Sequence, residues 1–234
     1  AIVTPGGSAC IVALDKMTGR DVWKSPKFGA PQYSSCIYVK YKGMPMIING
    51  TRGGILGVHA KTGQLLWSNT FSAGNTANCP TPAFADGYVF WANGYGKGGI
   101  CLKLSVHRRG VSAREVWRTR DMVCHHGGYV IVDGHIYGDN GGGITCIELA
   151  TGKVKWKHGG AGKGSLCYAD GMLYLFGERG GRVAFGPASP NGFNITGTFS
   201  VSGRGPSWAH PIVIRGGLSL RYDDTLYVFD VRAK

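Results

Sequence analysis

The residues that decide the fold read Ala13-Leu14-Asp15-Lys16-Met17-Thr18-Gly19-Arg20-Asp21-Val22-Trp23. The Thr-Gly turn and the tryptophan return as Thr62-Gly63-Gln64-Leu65-Leu66-Trp67 and as Thr151-Gly152-Lys153-Val154-Lys155-Trp156. Two weaker copies keep the aromatic end, Arg114-Glu115-Val116-Trp117 and Thr196-Gly197-Thr198-Phe199. The aromatic residue recurs about every 40 to 50 residues, which is the length of one blade of a β-propeller.

A second repeated element alternates with the first. It is an Asp-Gly pair between two apolar runs, seen as Ala85-Asp86-Gly87-Tyr88-Val89, Val132-Asp133-Gly134-His135-Ile136 and Ala169-Asp170-Gly171-Met172-Leu173. Lys42-Gly43 and Gly216-Gly217 occupy the corresponding place in their repeats. Asp-Gly in this context predicts a tight hairpin, because a type I′ turn needs positive φ at both central residues.

Each repeat is therefore predicted to form four antiparallel strands, the content of one propeller blade. We expect a single all-β propeller domain over residues 1–234. Its predicted whole blades are 33–69, 77–119, 124–158 and 164–201, and its partial blades are 1–25 and 208–231. Because four whole and two partial blades do not close well, we interpret the chain as the C-terminal part of a longer one with seven or eight blades.

Composition agrees with this fold and excludes others. Glycine supplies 40 of 234 residues and charged residues only 17%, against averages of about 7% and 25%, which disfavours helix bundles and coiled coils. No apolar run approaches the roughly 18 residues of a membrane-spanning helix.

The net charge of +13 favours acidic partners such as nucleic acid, anionic lipid or acidic polysaccharide. The densest basic run, 106–114, reads as one exposed hairpin loop, and no nucleic-acid-binding motif accompanies it.

The pattern from Ala13 to Trp23 resembles the tryptophan-docking repeat of PQQ-like β-propellers, and the resemblance covers the whole chain. It is similar in particular to repeat proteins of bacteria, often planctomycetes, that are usually exported. The resemblance implies that the outer-strand aromatic residue packs between neighbouring blades and that the Thr-Gly turn sets a hairpin. The residues it assigns to the scaffold are Trp23, Trp67, Trp117, Trp156, Gly19, Gly63 and Gly152.

Two branches of this superfamily imply different functions. PQQ-dependent alcohol and sugar dehydrogenases bind pyrroloquinoline quinone and calcium on the propeller axis, several of them with a vicinal disulfide. This chain has no Cys-Cys pair, and its 13 acidic residues lie mostly in turns, so a calcium site of several oxygen ligands is difficult to assemble. The outer-membrane assembly lipoprotein BamB uses the same repeat, related to that of WD40 propellers, as a non-catalytic binding platform.

Polar side chains recur where the first strand of each blade begins. The segments are Tyr33-Ser34-Ser35-Cys36, Ala77-Asn78-Cys79-Pro80, Val123-Cys124-His125-His126, Gly164-Ser165-Leu166-Cys167 and Ser207-Trp208-Ala209-His210. Thiolate and imidazole groups suit zinc, copper or iron, so the candidate metal ligands are Cys79, Cys124, His125, His126 and His210. Two alternatives stay open: small side chains needed where inner strands approach closely, and a polar channel that recognises a ligand. We expect His125 and His126 to point to opposite faces of a strand, so that at most one of them reaches the channel.

These observations favour a non-catalytic binding or scaffolding propeller, located by resemblance in the bacterial periplasm or cell envelope. Its expected partner is a protein or an acidic polymer, and no cofactor is expected. The alternative is a quinoprotein oxidoreductase of the alcohol or sugar dehydrogenase type, with PQQ and calcium held partly by other blades.

The seven cysteines are an odd number, so at least one thiol is unpaired within the chain. Those in strand-like segments, such as Cys101 and Cys146, are interpreted as small buried apolar groups.

Overall fold

The computed structural model describes residues 1–74, 76–108 and 110–232, and all regular secondary structure in these residues is β. The strands are β1 (Ile2–Val3), β2 (Val12–Leu14), β3 (Asp21–Lys24), β4 (Ile37–Tyr41), β5 (Met44–Thr51), β6 (Gly54–His59), β7 (Leu65–Asn69), β8 (Ala83–Ala85), β9 (Tyr88–Asn93), β10 (Gly98–His107), β11 (Gly110–Thr119), β12 (Tyr129–Val132), β13 (His135–Asp139), β14 (Ile144–Glu148), β15 (Val154–His158), β16 (Gly164–Ala169), β17 (Met172–Gly177), β18 (Arg182–Pro187), β19 (Gly197–Ser200), β20 (Ile212–Ile214), β21 (Gly217–Tyr222) and β22 (Thr225–Asp230). No helix in these residues could cross a membrane.

The strands form six antiparallel meanders. Four sheets have four strands, β4 to β7, β8 to β11, β12 to β15 and β16 to β19, and two have three strands, β1 to β3 and β20 to β22. The predicted fold class, an all-β propeller of four whole and two partial blades, is confirmed. The chain divides into two compact units, residues 1–120 and 121–234, each with three sheets. The single-domain organisation stays a prediction, and each unit is described by itself.

The hairpins between the first and second strands have the backbone that Asp-Gly predicts. Asp86 and Gly87 have φ of 50° and 79°, and the pairs that begin at Asp133 and Asp170 behave alike. In the β20–β21 hairpin of the last sheet, the residues with positive φ are Arg215 and Gly216. The prediction of Gly216-Gly217 was therefore wrong by one residue, because Gly217 already pairs with Ile214 as the first residue of β21.

The Thr-Gly turns share one hydrogen-bonding scheme. The amide of Gly19 donates to the carbonyl of Asp15 at 2.8 Å, and the hydroxyl of Thr18 donates to the Asp15 carboxylate at 2.9 Å. His59 replaces this aspartate beside Thr62, and a glutamate replaces it beside Thr151. The turn thus tolerates three different side chains at its first position, since each places a polar atom within hydrogen-bonding distance of the threonine hydroxyl.

A β-bulge precedes each repeated tryptophan. Ala13 pairs with Trp23, but the next residue, Leu14, pairs with Asp21, so Val22 is the extra residue. The same shift occurs before Trp67, Trp117 and Trp156. Bulges turn the following side chain, and the residues opposite the tryptophans are small, namely Ala13, Gly57, Cys101 and Cys146. Cys101 and Cys146 are buried, so there they act as small apolar groups.

The aromatic residue of the last strand contacts the next sheet. The indole nitrogen of Trp23 donates to the carbonyl of Ala60 at 3.1 Å. That of Trp156 donates to the carbonyl of Ser189 at 2.9 Å. Phe199 replaces the tryptophan in its repeat and lies 4.7 Å, ring centre to ring centre, from Phe229. Each of these three residues therefore joins one sheet to the following sheet of the same unit.

Apolar cores lie between consecutive sheets of a unit. In the first unit, Met46 and Trp67 of one sheet pack with Trp91 and Leu102 of the next. The β10–β11 hairpin extends beyond β9, and its residues Leu104 and Val111 belong to the same core. The basic run at 106–114 is thus mostly strand rather than the predicted loop, because its apolar residues pack inward. Arg109, in this run, lies outside the described residues.

Gly57 permits the close approach of Trp67, and its replacement tests this contact. A Cβ at Gly57 would lie 2.4 Å from Cε2 of the Trp67 ring. We expect Gly57→Ala to lower the free energy of unfolding by about 1 to 3 kcal/mol through overpacking, measured by urea denaturation. In Gly142→Ala the new Cβ meets only one side-chain oxygen, at 3.9 Å, so this control should change stability by less than about 0.5 kcal/mol. Equal stability of the two variants would contradict this account of the contact.

Candidate functional site

The polar segments picked out by the repeat lie mostly in loops that lead into first strands. In the second unit three of them come together: the loop at 124–128 before β12, the start of β16, and the loop at 207–210 before β20. Glu178 joins them from the end of β17. Its amide donates to the carbonyl of Lys163 and its carbonyl accepts from the amide of Ser207, both at 2.7 Å. Backbone hydrogen bonds therefore fix the positions from which the site side chains project.

Glu178 is the centre of the site. Its Oε2 lies 2.7 Å from Nζ of Lys163, and its Oε1 accepts a hydrogen bond from Nε1 of Trp208 at 3.1 Å. Burial acts to raise the pKa of Glu178, but the bonds from Lys163 and Trp208 outweigh it and hold the pKa at about 2. The carboxylate is therefore ionised, and its charge is balanced by the Lys163 ammonium.

His126 is a neutral neighbour of this ion pair. Burial lowers its pKa to about 4, against the opposing effect of Glu178. The distance from its Nε2 to Oε2 of Glu178 is 3.7 Å, which is too long for a hydrogen bond. Neither ring nitrogen has a hydrogen-bond partner among the described residues. The ring instead packs against aromatic neighbours, 5.4 Å from His125 and 6.2 Å from Trp208.

The other two histidines complete the site. Nδ1 of His125 lies 3.3 Å from Nζ of Lys163, and burial together with this ammonium lowers the pKa of His125. Nε2 of His210 lies 2.9 Å from the carbonyl oxygen of His126, so this nitrogen carries a proton. The structure thus brings together three of the five predicted metal ligands, but as packing and hydrogen-bonding groups.

His125 and His126 do not lie in a strand, so the prediction that they face opposite ways was wrong. They sit in a bend closed by Cys124, whose sulfur accepts from the amide of Gly128 at 3.1 Å. Gly128 has a φ of 71°, and a Cβ there would lie 2.8 Å from the His210 ring. The tight turn therefore places both imidazoles beside Lys163 and Glu178.

The metal site stays a prediction. Cys124 is engaged in its own turn, and Cys79 belongs to the first unit, where burial raises its pKa. Across residues 1–74, 76–108 and 110–232, no three His, Cys, Asp or Glu side chains form a group that could hold a metal ion.

Trp208 is the exposed part of the site. Its side chain is 62% exposed, yet its nitrogen is held by Glu178, whose own side chain is only 13% exposed. A large aromatic surface is thus presented to solvent in a fixed orientation. We call this surface the Trp208 platform, comprising His125, His126, Lys163, Glu178, Trp208 and His210.

The sequence predicted part of this platform. The three histidines and the segment containing Trp208 were found because they recur at the starts of first strands. Glu178 and Lys163 were not assigned a role, since nothing in their spacing shows that they pair. The usable signal is positional, because Lys163 immediately precedes β16 and Glu178 immediately follows β17, the adjacent strand.

Asp139 is a buried carboxyl in the same unit. Its Oδ1 accepts from the amides of Gly141 at 3.3 Å and Gly164 at 3.4 Å, while Oδ2 has no partner among the described residues. Burial raises its pKa to about 7, although both amides act to lower it. It lines a cavity of only about 10 Å³, which is the space that one water molecule needs. Asp139 therefore has a pKa near neutral pH, and the cavity beside it has no room for a ligand larger than water.

A family model named outer membrane protein assembly factor BamB (PQQ_2) matches residues 2–158. The chain belongs to this family. No curated protein sequence matches it.

Solved structures share the fold at low identity. BamB from Moraxella catarrhalis superposes with a TM-score of 0.69 and 15% identity, covering 97% of this chain and 68% of that one. The quinohemoprotein alcohol dehydrogenase from Comamonas testosteroni has a TM-score of 0.59 and 14% identity, covering 86% of this chain and 42% of that one. The Cps50 (Swd1) β-propeller domain from Myceliophteria thermophila has a TM-score of 0.64 and 10% identity, covering 99% and 85%. At such identities the likeness shows the fold alone.

The dehydrogenase likeness raises the question of a calcium-bound quinone. Calcium takes about six to eight oxygen ligands, several of them carboxylate. In the second unit, Glu178 is already engaged by Lys163 and Trp208, and Asp139 is buried with a pKa of about 7. These two carboxyl groups of the second unit therefore do not supply the several oxygen ligands that a calcium site needs.

The buried carboxyl of Asp139 makes a testable contribution to stability. Its pKa is raised above the usual 3.8, so folding becomes less favourable as the pH rises from about 4 to about 7. Asp139→Asn removes this cost and keeps an acceptor for both amides. We expect the variant to exceed the wild type in free energy of unfolding by more than about 1 kcal/mol at pH 8.5, with the difference shrinking toward pH 5.

The matched control is Asp170→Asn in an exposed type I′ turn, where asparagine also tolerates positive φ. It should show no such trend in urea denaturation series recorded across the same pH range. A difference between Asp139→Asn and wild type that is independent of pH would contradict the account of the buried carboxyl.

Proposed function

We propose that this chain is a non-catalytic scaffold of the bacterial cell envelope that binds a protein partner through the Trp208 platform. The observation that carries the proposal is an exposed tryptophan whose indole nitrogen is anchored by a largely buried carboxylate. Tryptophan is enriched among the residues that dominate protein interfaces, and a side chain already ordered before binding loses less entropy. Membership of the BamB family supports the proposed periplasmic or envelope location.

The charge of the platform favours a protein over an acidic polymer. Lys163 and Glu178 neutralise each other, and the lowered pKa values of His125 and His126 leave these rings neutral at pH 7. The platform therefore offers aromatic surface and hydrogen-bonding groups with almost no net charge. The overall charge of +13 is not concentrated there, so an apolar or aromatic loop of a protein partner fits it better.

Site-specific photocrosslinking of the full-length protein in its host tests this proposal. A photoreactive residue replaces Arg204, which lies in the loop before Trp208 and is 92% exposed at its side chain. We expect a discrete protein adduct, and we expect Trp208→Ala to reduce its yield about tenfold or more, since loss of an interface tryptophan typically costs about 2 kcal/mol or more. Trp208→Phe, which keeps a ring but lacks the N–H donor, should retain part of the yield.

The control is Tyr33→Ala, which removes another exposed aromatic residue from a loop that leads into a first strand, here in the first unit. It should leave the adduct from position 204 unchanged. A photoreactive residue at the exposed Lys16 should give no such adduct. Equal yields with and without Trp208, or an adduct dominated by an acidic polysaccharide, would overturn the proposed protein-binding role of the platform.

A further inference from the structure

A cationic pocket lies in the first unit, between the turn that joins β9 to β10 and the end of β11. It has a volume of about 260 Å³ and is lined by Phe71, Gly96, Lys97, Arg118, Thr119 and Arg120. Three of these six residues carry a positive charge at neutral pH, and no acidic residue of the described chain lines the pocket itself.

Phe71 forms a rigid floor. Its side chain is only 5% exposed, and its ring packs edge to face against Trp91 at 6.4 Å. Its amide is held by the side-chain oxygen of Asn69 at 2.8 Å. Nζ of Lys97 lies 4.6 Å from the ring centre, and the guanidinium carbon of Arg118 lies 5.5 Å from it. Cation–π attraction therefore holds both cations over one fixed ring.

The backbone that presents Lys97 is unusual. Tyr95, Gly96 and Gly98 all have positive φ, at 56°, 73° and 77°. The amide of Lys97 donates to the carbonyl of Gly94 at 3.1 Å. Lys97 is thus the cation of a tight turn whose glycines permit the chain to fold back over Phe71.

The positive charges of the pocket are only partly balanced. Nη2 of Arg118 pairs with Glu115 at 2.7 Å, and Asp121, the next acidic residue along the chain, pairs with Lys157 at 2.7 Å. Neither Lys97 nor Arg120 has an ion pair with any residue that the structure describes. Three cations and one carboxylate leave an excess of two positive charges, whose mutual repulsion a bound dianion would relieve.

We propose that this pocket binds the phosphate group of a phosphorylated ligand. Arginine guanidinium groups present paired N–H donors that match phosphate oxygens, and a lysine ammonium adds a compact charge. The same chemistry is offered by a soluble sugar phosphate and by an anionic phospholipid headgroup. This inference is independent of the Trp208 platform, because its residues belong to the other compact unit.

The first test is a titration of the full-length protein with glucose 6-phosphate at low ionic strength, followed by amide NMR. We expect saturable shifts centred on Gly96, Lys97 and Thr119. The double variant Lys97→Gln with Arg120→Gln should bind at least about tenfold more weakly, since hydrogen bonds to charged groups contribute roughly 1.5 to 3 kcal/mol. Glu115→Gln should bind more tightly, because it removes the one competing carboxylate and frees Arg118.

The control double variant, Lys16→Gln with Lys61→Gln, removes the same charge from exposed turns and should change binding less than about twofold.

Vesicles of phosphatidylglycerol, compared with vesicles of phosphatidylcholine, distinguish a phospholipid headgroup from a soluble sugar phosphate as the source of the bound phosphate. Selective binding to the anionic vesicles that is lost only in the pocket variant assigns the headgroup, and binding of the sugar phosphate alone assigns a soluble ligand. Equal weakening in both double variants, shifts centred elsewhere, or no binding of either probe would overturn the proposal.

Discussion

Each compact unit depends on one kind of contact, in which an aromatic residue of a last strand packs against the following sheet of the same unit. The bulge before Trp23 turns its indole toward the next Thr-Gly turn, where it meets the carbonyl of Ala60. The same device recurs at Trp156 with a different loop as acceptor. Since a three- or four-stranded meander cannot bury both its faces alone, this contact makes each sheet depend on its neighbour.

The aromatic contact differs between repeats, and the differences show which changes of ring and hydrogen-bond acceptor the fold tolerates. Trp67 is buried, but its indole nitrogen has no partner in the described residues. The following repeat lacks the Thr-Gly turn and has the long β10–β11 hairpin in its place, so the usual carbonyl acceptor is missing. Burial against Gly57 and the core residues of the hairpin compensates for the lost hydrogen bond. Phe199 shows that a ring without a donor also serves.

The sequence predicts the fold well because its signals are local. Asp86-Gly87 requires a positive-φ turn by itself, and the Thr-Gly motif closes its hairpin through residues only a few positions apart. The platform is less predictable because Glu178 meets Lys163 and Trp208 only after three loops are assembled. The turn at Cys124 also changes the direction of His126 in a way that strand periodicity cannot show.

A rigid binding scaffold and a redox enzyme are the two candidate functions of this protein, and cofactor binding distinguishes them most directly. Full-length protein is incubated with pyrroloquinoline quinone and calcium, freed of unbound ligand, and examined by absorbance and elemental analysis. Glu178 is already paired with Lys163 and Trp208, and Asp139 is buried beside a cavity of only about 10 Å³. We therefore expect no stoichiometric, calcium-dependent binding of the quinone. One quinone and one calcium retained per chain would contradict this expectation.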